Sequence, residues 1–514
     1  MYKKMILGAI MLCFSTMAFA QNAYDALRFS EQYTEGTARS AAMGNAFTAL
    51  GGDMGGITIN PASSAVYRYS EFQVTPTVSG TSSSVNYLGS GTSDNSTRFG
   101  ISSMGYVGSY NTGRQNSGLV NWSFGFVVSK QNNFNNSMKV RGTTNSTSWL
   151  GALAANTNGI YAPNMDLNDN RNPFHNGNAP WNSILGWNTS LLDTLPGTSD
   201  QYIAATENLN EYDITTGGNL EQVFHSSSKG NITDATINFG GNISNKLFIG
   251  ANIGIQSISY RYEEKYSETA MNSNDFQTGF EKFSAGYRYN ATGTGINLKA
   301  GLIYLPTRWL RLGAAISTPT WMFIDENWEN GMNAHFNDGY SQSLVSPLGT
   351  YNYMLYTPFR WNAGAALRLG TLGVLSADYE NIDYSSARLH ETEYGEGYPD
   401  ENQEISLTLG SQKIFRAGAE INATPSLSVR AGYQYYSSPY ANQKSSDAKN
   451  IGSLGIGYTA VWDDSSFFVD LTYQQLLTKG SEEFSLYADT DIPAPVGTNK
   501  TGNWKVLLSV GLRF

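Results

Sequence analysis

Trp504-Lys505-Val506-Leu507-Leu508-Ser509-Val510-Gly511-Leu512-Arg513-Phe514 closes the chain. Every even position in this stretch is large and apolar, while the odd positions carry Lys, Leu, Ser, Gly and Arg. A period of two sustained over this length specifies a β-strand with one fully apolar face. At the edge of a soluble sheet such a strand would template aggregation, so it must be closed or covered.

The same alternation recurs upstream. Reading backwards, apolar rows stand at Phe467/Val469/Leu471/Tyr473, Leu454/Ile456/Tyr458, Leu427/Val429/Ala431/Tyr433, Phe415/Ala417/Ala419/Ile421, Leu375/Ala377/Tyr379 and Phe359/Trp361/Ala363/Ala365. They continue at Leu310/Leu312/Ala314/Ile316, Leu298/Ala300/Leu302/Tyr304, Leu247/Ile249/Ala251/Ile253, Ile237/Phe239, Val120/Trp122/Phe124/Phe126, a segment at 98–107, and Phe72/Val74/Val78. With the terminal strand these make fourteen, an even number, as a single-chain antiparallel transmembrane β-barrel requires. Val506, Leu508, Val510 and Leu512 then face lipid, and Ser509 faces a lumen where a large side chain is expected to be tolerated.

The connections support closure. Short links at 245–246, 306–308, 370–371, 424–425 and 463–465 alternate with long ones at 259–294, 317–358, 387–413, 437–449 and 477–502. Membrane barrels put short turns on the periplasmic side and long loops outside, whereas a soluble all-β protein has no reason to segregate them. The link 108–118 belongs to the short side and is longer than its counterparts. Trp309 and Trp462 fall at the inner rim, and Trp361, Tyr435, Tyr473 and Trp504 at the outer rim, as two aromatic girdles.

Composition agrees. The 514 residues include 53 Gly and 32 Tyr, with only 14% charged. A net charge of −10 leaves no basic surface for nucleic acid. After the first segment no apolar run approaches the ~20 residues of a membrane helix. That first segment has Lys3 and Lys4, an apolar run from Met5 to Met17, and Ala18-Phe19-Ala20. It reads as a signal peptide, residues 1–20, cleaved before Gln21. The one cysteine, Cys13, lies within it.

Residues 21–69 lack strand alternation. Thr37 is placed to cap a helix running from Ala38 to Leu50, which Gly51-Gly52-Asp53 would end, and Asn60-Pro61-Ala62 makes a rigid turn. The expected organisation is a small helical hatch at 21–69 plugging a barrel at 70–514, with a long outer loop at about 131–231.

In this region the chain resembles the FadL family of outer-membrane transporters for long-chain fatty acids and other hydrophobic compounds. The likeness rests on residues 36–44, 46–53 and Asn60-Pro61-Ala62 in the family's hatch order, and on Gly293-Thr294-Gly295-Ile296-Asn297-Leu298 leading to Leu305-Pro306. Phe514 agrees, since the last strand resembles the assembly signal read by the barrel assembly machinery. Two departures stand out: Ser63-Ser64 after the tripeptide, and the length of the 131–231 link. The resemblance implies the outer membrane of a Gram-negative bacterium, contact with its lipids, and a fatty acid-like ligand. It also implies a hatch at Gly51, Gly52, Asp53, Asn60, Pro61 and Ala62, and lateral exit where the third strand bends. Within that strand Gly125, between Phe124 and Phe126, is the residue suited to a bulge and is expected to mark the gate.

Catalysis finds no support. His175, His225, His335 and His390 are far apart, and G-x-S-x-G is absent. Asp166-Leu167-Asn168-Asp169-Asn170 resembles a calcium loop, but Arg171 stands where glycine belongs. No enzyme activity, cofactor or metal is expected. The alternatives to a hatch-gated transporter are a general diffusion porin and a surface binding or adhesion protein anchored by a barrel.

Overall fold

The structure is a computed structural model that describes residues 22–168, 172–211, 213–392, 397–463, 465–478, 480–488 and 493–514. The expected signal peptide lies outside these residues, as do parts of the calcium-like run and of the 463–465 turn. No described helix is long and apolar enough to cross a membrane.

Fourteen antiparallel strands form a closed barrel. They are β1 (Glu71–Tyr87), β2 (Ser90–Asn111), β3 (Leu119–Asn133, resuming as Asn136–Thr144), β4 (Leu220–Ile243), β5 (Leu247–Ala270), β6 (Phe280–Tyr304) and β7 (Leu310–Ser317, resuming as Trp321–Phe336). Next come β8 (Ser341–Val345, Gly349–Tyr356, Arg360–Arg368), β9 (Gly373–Asp383, Arg388–His390), β10 (Ser411–Asn422), β11 (Leu427–Tyr436), β12 (Lys449–Trp462), β13 (Ser465–Thr478) and β14 (Val496–Arg513). Closure is made by β14 on β1, with Phe72 opposite Leu512 and Val74 opposite Val510. Pro76 lacks an N–H, and the β1–β2 register slips between Thr75 and Pro76.

Two of the expected long loops are mostly strand. Residues 259–294 continue β5 and β6 to a turn at 271–279, and 317–358 continue β7 and β8. The outward row of β5 shows why apolar alternation misses this. It runs Ile249, Ala251, Ile253, Ile255 and then Ser257, Ser259, Arg261 while pairing continues unbroken. The wall rises past the hydrocarbon, where its outer face must be polar but its backbone still pairs.

Inside the wall, residues 22–69 form α1 (Ala23–Ser30), α2 (Ala38–Ala42), α3 (Met54–Ile59) and a 3-10 turn, Pro61–Val66. The expected helix to Leu50 stops at Ala42, because Gly44 and Asn45 take positive φ values of 61° and 55°. Gly51 and Gly52 are left-handed as well, and Asp53 caps the next helix rather than ending the previous one. At the long-loop end, α4 (Trp149–Thr157) and α5 (Trp181–Asn188) fold the 145–219 segment over the mouth. There Leu150, Met165 and Ile184 share a core with Phe280 and Met332 of the wall.

Candidate functional site

The hatch is fastened at its turns. Thr37 and Ser40 form a capping box on α2, and the Thr37 hydroxyl also donates to Asp53 (2.7 Å), whose carboxylate accepts from Gly55 N (2.9 Å). Asn60 works in two directions. Its Oδ1 accepts from Ala62 N (3.0 Å), while Nδ2 donates to the carbonyls of Thr48 (2.6 Å) and Leu302 (3.0 Å), tying hatch to wall. Pro61 opens the 3-10 turn, and its carbonyl accepts from Asn238 of β4 (2.9 Å).

The wall makes room for this contact with glycine. A Cβ at Gly250 would overlap the Pro61 carbonyl, and one at Gly301 would overlap the Asn60 side chain. Gly313, Gly418 and Gly432 continue the close approach around the barrel at Thr48, Met43 and Gly44. Arg39 adds charge, with Nε and Nη2 reaching the two oxygens of Glu420 at 2.8 and 2.9 Å. Burial opposes the Arg39 charge, and Glu420 more than offsets it, so its pKa rises. Ser509 belongs to the same seam. It is fully buried and its Oγ accepts from Ala38 N (2.8 Å), so the expected tolerance of a large residue there is corrected: the lumen at this level is filled.

The third strand is regularly paired through Phe124, Gly125 and Phe126, with Gly125 opposite Val107 on one side and Asn238 on the other. The wall opens further along. Pairing between β2 and β3 stops at Ser103 and Ser129, β3 slips register between Lys130 and Asn132, and it breaks at 134–135 before resuming against β4 alone. Above that point, side-chain bonds such as Ser137 to Asp94 (2.5 Å) and Thr92 to the Lys139 carbonyl (2.6 Å) bridge the seam.

A hatch segment fills this opening. Residues 31–36 lie along the free edge of β3 as a strap: Tyr33 N donates to the Gln131 carbonyl (2.6 Å) and Glu35 N to the Lys130 carbonyl (3.1 Å). Ser102 donates from the other side to the Gly36 carbonyl (2.7 Å). The Glu35 side chain is fully buried between Lys505 (2.7 Å) and Lys130 (3.5 Å). Burial opposes its charge, but Lys505 and then Lys130 outweigh that, and its pKa is lowered.

Behind the strap lies a cavity of ≈ 440 Å³, walled by Tyr24 and Leu27 of α1, Phe134 at the strand break, Tyr436, Ile451 and Trp504. That is the size class of small-molecule sites. Thr34 and Tyr436 also line a smaller polar pocket of ≈ 40 Å³, with Lys299, Arg360, Glu380 and Arg416. Arg416 donates through Nη2 to Glu380 (2.7 Å) and lies over the Tyr436 ring (5.9 Å to its centre), and its buried Nε and Nη1 have no well-formed bond among the described residues. Sequence reasoning missed the strap and both cavities; the alternation that turns Phe415 and Ala417 to lipid already turns Arg416 inward, but nothing local showed its pocket. Phe514 closes the chain against Ser70 through two backbone bonds of 3.0 Å and leaves its ring exposed.

No family model matches the chain, and no curated relative does. Solved structures do. A FadL homologue from Pseudomonas aeruginosa covers 94% of this chain and 99% of its own, with a TM-score of 0.54 and 14% identity. The barrel shares the FadL fold. The toluene transporter TodX of P. putida covers the same shares at a TM-score of 0.51 and 15% identity. At such identities the likeness is one of fold. Among the described residues no three His, Cys, Asp or Glu side chains gather as a metal site.

Proposed function

We propose that this chain is an uptake channel in the outer membrane of a Gram-negative bacterium for long-chain fatty acids or other hydrophobic compounds. Ligand enters the cavity behind the strap and leaves sideways between β2 and β3 when the strap withdraws. Asn60-Pro61-Ala62 and Asp53 stay anchored, and the left-handed Gly51 and Gly52 let the hatch flex. Phe124, Gly125 and Phe126 form the paired sill below the exit. The observation that carries this reading is the coincidence of a broken wall, a hatch segment occupying the break, and a ligand-sized cavity directly behind it. Backbone groups freed at such a break are tolerable only when covered by protein or a cavity, which the strap supplies. A general diffusion porin accounts poorly for a lumen filled by hatch at the glycine belt. Arg416 favours ligands with an acidic head, since this cation, with Arg360 and Lys299, lines a small polar pocket beside the larger cavity. The barrel assembly machinery, reading Phe514, would insert the chain.

The test is to lock the strap. With Thr34→Cys and Gln131→Cys, whose native side chains meet at 2.9 Å, a short bis(methanethiosulfonate) crosslinker, which forms a disulfide with each thiol and releases methanesulfinate, should abolish uptake of labelled oleate in cells, and reductant should restore it. Full bridging with undiminished uptake would exclude exit through this break.

A further inference from the structure

Above its apolar band, the outer surface of β3 to β6 carries a cluster of cations. The outward rows change in step along these strands. Ile255 opposes Ile296, the next two tiers hold Ser257, Ser259, Thr292 and Thr294, and then charge begins. Arg261 stands directly opposite Lys229, while Lys265 and Lys139 both stand opposite His225. Arg288 completes the group, opposite Glu263.

Carboxylates balance these charges only in part: Asp94 lies 3.7 Å from His225 and Glu221 is taken by Arg141. Glu263 is shared between Arg288 (3.6 Å) and Arg261 (3.9 Å), and Glu329 reaches only Arg288 (3.3 Å). Among the described residues none lies within ion-pair distance of Lys139, Lys229 or Lys265, and all three are exposed. Setting Lys229 beside Arg261 costs repulsion that a cross-strand pair normally avoids, in a chain whose net charge is −10. After tilt the strand climbs about 15 Å from Ile255 to Arg261 and Lys229, the members nearest the bilayer, and about 25 Å to Lys265. Long basic side chains that hang back toward the bilayer reach several ångströms of that distance.

We propose that this face binds the phosphates of the glycolipid in the outer leaflet. Charge and height together choose the partner: a polyanion fixed just above the hydrocarbon and presented sideways to the wall, as basic clusters beside a membrane bind anionic headgroups. The proposal does not depend on what the lumen carries. All of the residues lie outside the hatch, the cavities and the strap.

The test uses the full barrel in non-ionic detergent, titrated with bisphosphorylated lipid A and with the same lipid after dephosphorylation, and read by native mass spectrometry. The wild type should prefer the phosphorylated form. The exposed triple variant Lys229→Gln, Arg261→Gln, Lys265→Gln should lose roughly two orders of magnitude in affinity for it. A control with Lys413→Gln and Lys500→Gln, exposed lysines on β10 and β14, should bind as the wild type does. Heat-modifiable migration on gels verifies that each variant is folded. Equal binding of both lipids by the wild type, or full binding by the folded triple variant, overturns the proposal.

Discussion

Arg416 is the residue at which ligand chemistry can be read most directly. Its Nη2 is committed to Glu380, while Nε and Nη1 are buried beside Tyr436 without a well-formed bond. A buried donor left unmade costs about 1–3 kcal/mol, and an incoming carboxylate would repay it. Arg416→Gln is therefore expected to weaken oleate binding ten- to a hundredfold and to leave methyl oleate nearly unchanged, as measured by competition in detergent. Glu380 would retain Arg360 at 3.6 Å. Equal losses for acid and ester would mean that the arginine only shapes the cavity. At this scale the sequence was partly legible. Asn60-Pro61-Ala62 could be recognised because its chemistry is local, an amide capping its own turn. Its counterparts Gly250 and Gly301 looked like any lumen glycine, since the overlap that requires them comes from residues about two hundred positions away. Ser509 was misread for the same reason: its partner Ala38 lies at the other end of the chain.

At the scale of elements, the strap decides whether the wall is open, and Glu35 decides whether the strap stays. Its carboxyl is held below the ordinary range, so the stabilisation is present above the unfolded pKa near 4.5 and is lost as pH falls through the lower folded value. Glu35→Gln removes the counter-charge of Lys505 and Lys130 at any pH. The amides of Tyr33 and Glu35, which donate to β3, should then exchange with deuterium ten- to a hundredfold faster, while those of β3 and β4 near Gly125 keep wild-type protection. Unchanged exchange in the strap would show that its backbone bonds suffice without the ion pairs. Period-two alternation located all fourteen strands, because lipid imposes it on every one. It missed the strand extensions, where the outer face turns polar; Gly125, singled out by the resemblance and by being a glycine within the strand, is regularly paired, while the pairing breaks at 130–135. The local signal there is Asn132, Asn133, Asn135 and Asn136, poor strand formers of which Asn132, Asn133 and Asn136 accept from nearby amides; it read as the start of a loop, because the strap that covers the break comes from near the start of the chain.

Across the whole molecule, two obstructions stand in series along the barrel axis. The hatch occupies the lumen at the glycine belt, and the 145–219 segment packs over the mouth on the side of β3 to β7. On the side of β8 to β11 the mouth is closed differently. There α1 shares a core with Tyr353, Ile382, Tyr384 and Ile414, together with Ile405 of α6 (Pro399–Thr408). Deleting 23–56 thus removes most of the hatch, leaving its Asn60-Pro61-Ala62 turn, and the centre of that second closure together, while the strands remain paired with one another around the full circle. The deleted barrel is expected to assemble and to show raised conductance in planar bilayers. Replacing 149–216 with a short linker should leave conductance near the wild-type level, because the hatch still fills the lumen below. The double deletion should conduct at least as well as the first. Current through the barrel lacking only 149–216 would be the decisive contrary result, since it would mean that water and ions already pass the hatch and that the outer segment alone seals the channel.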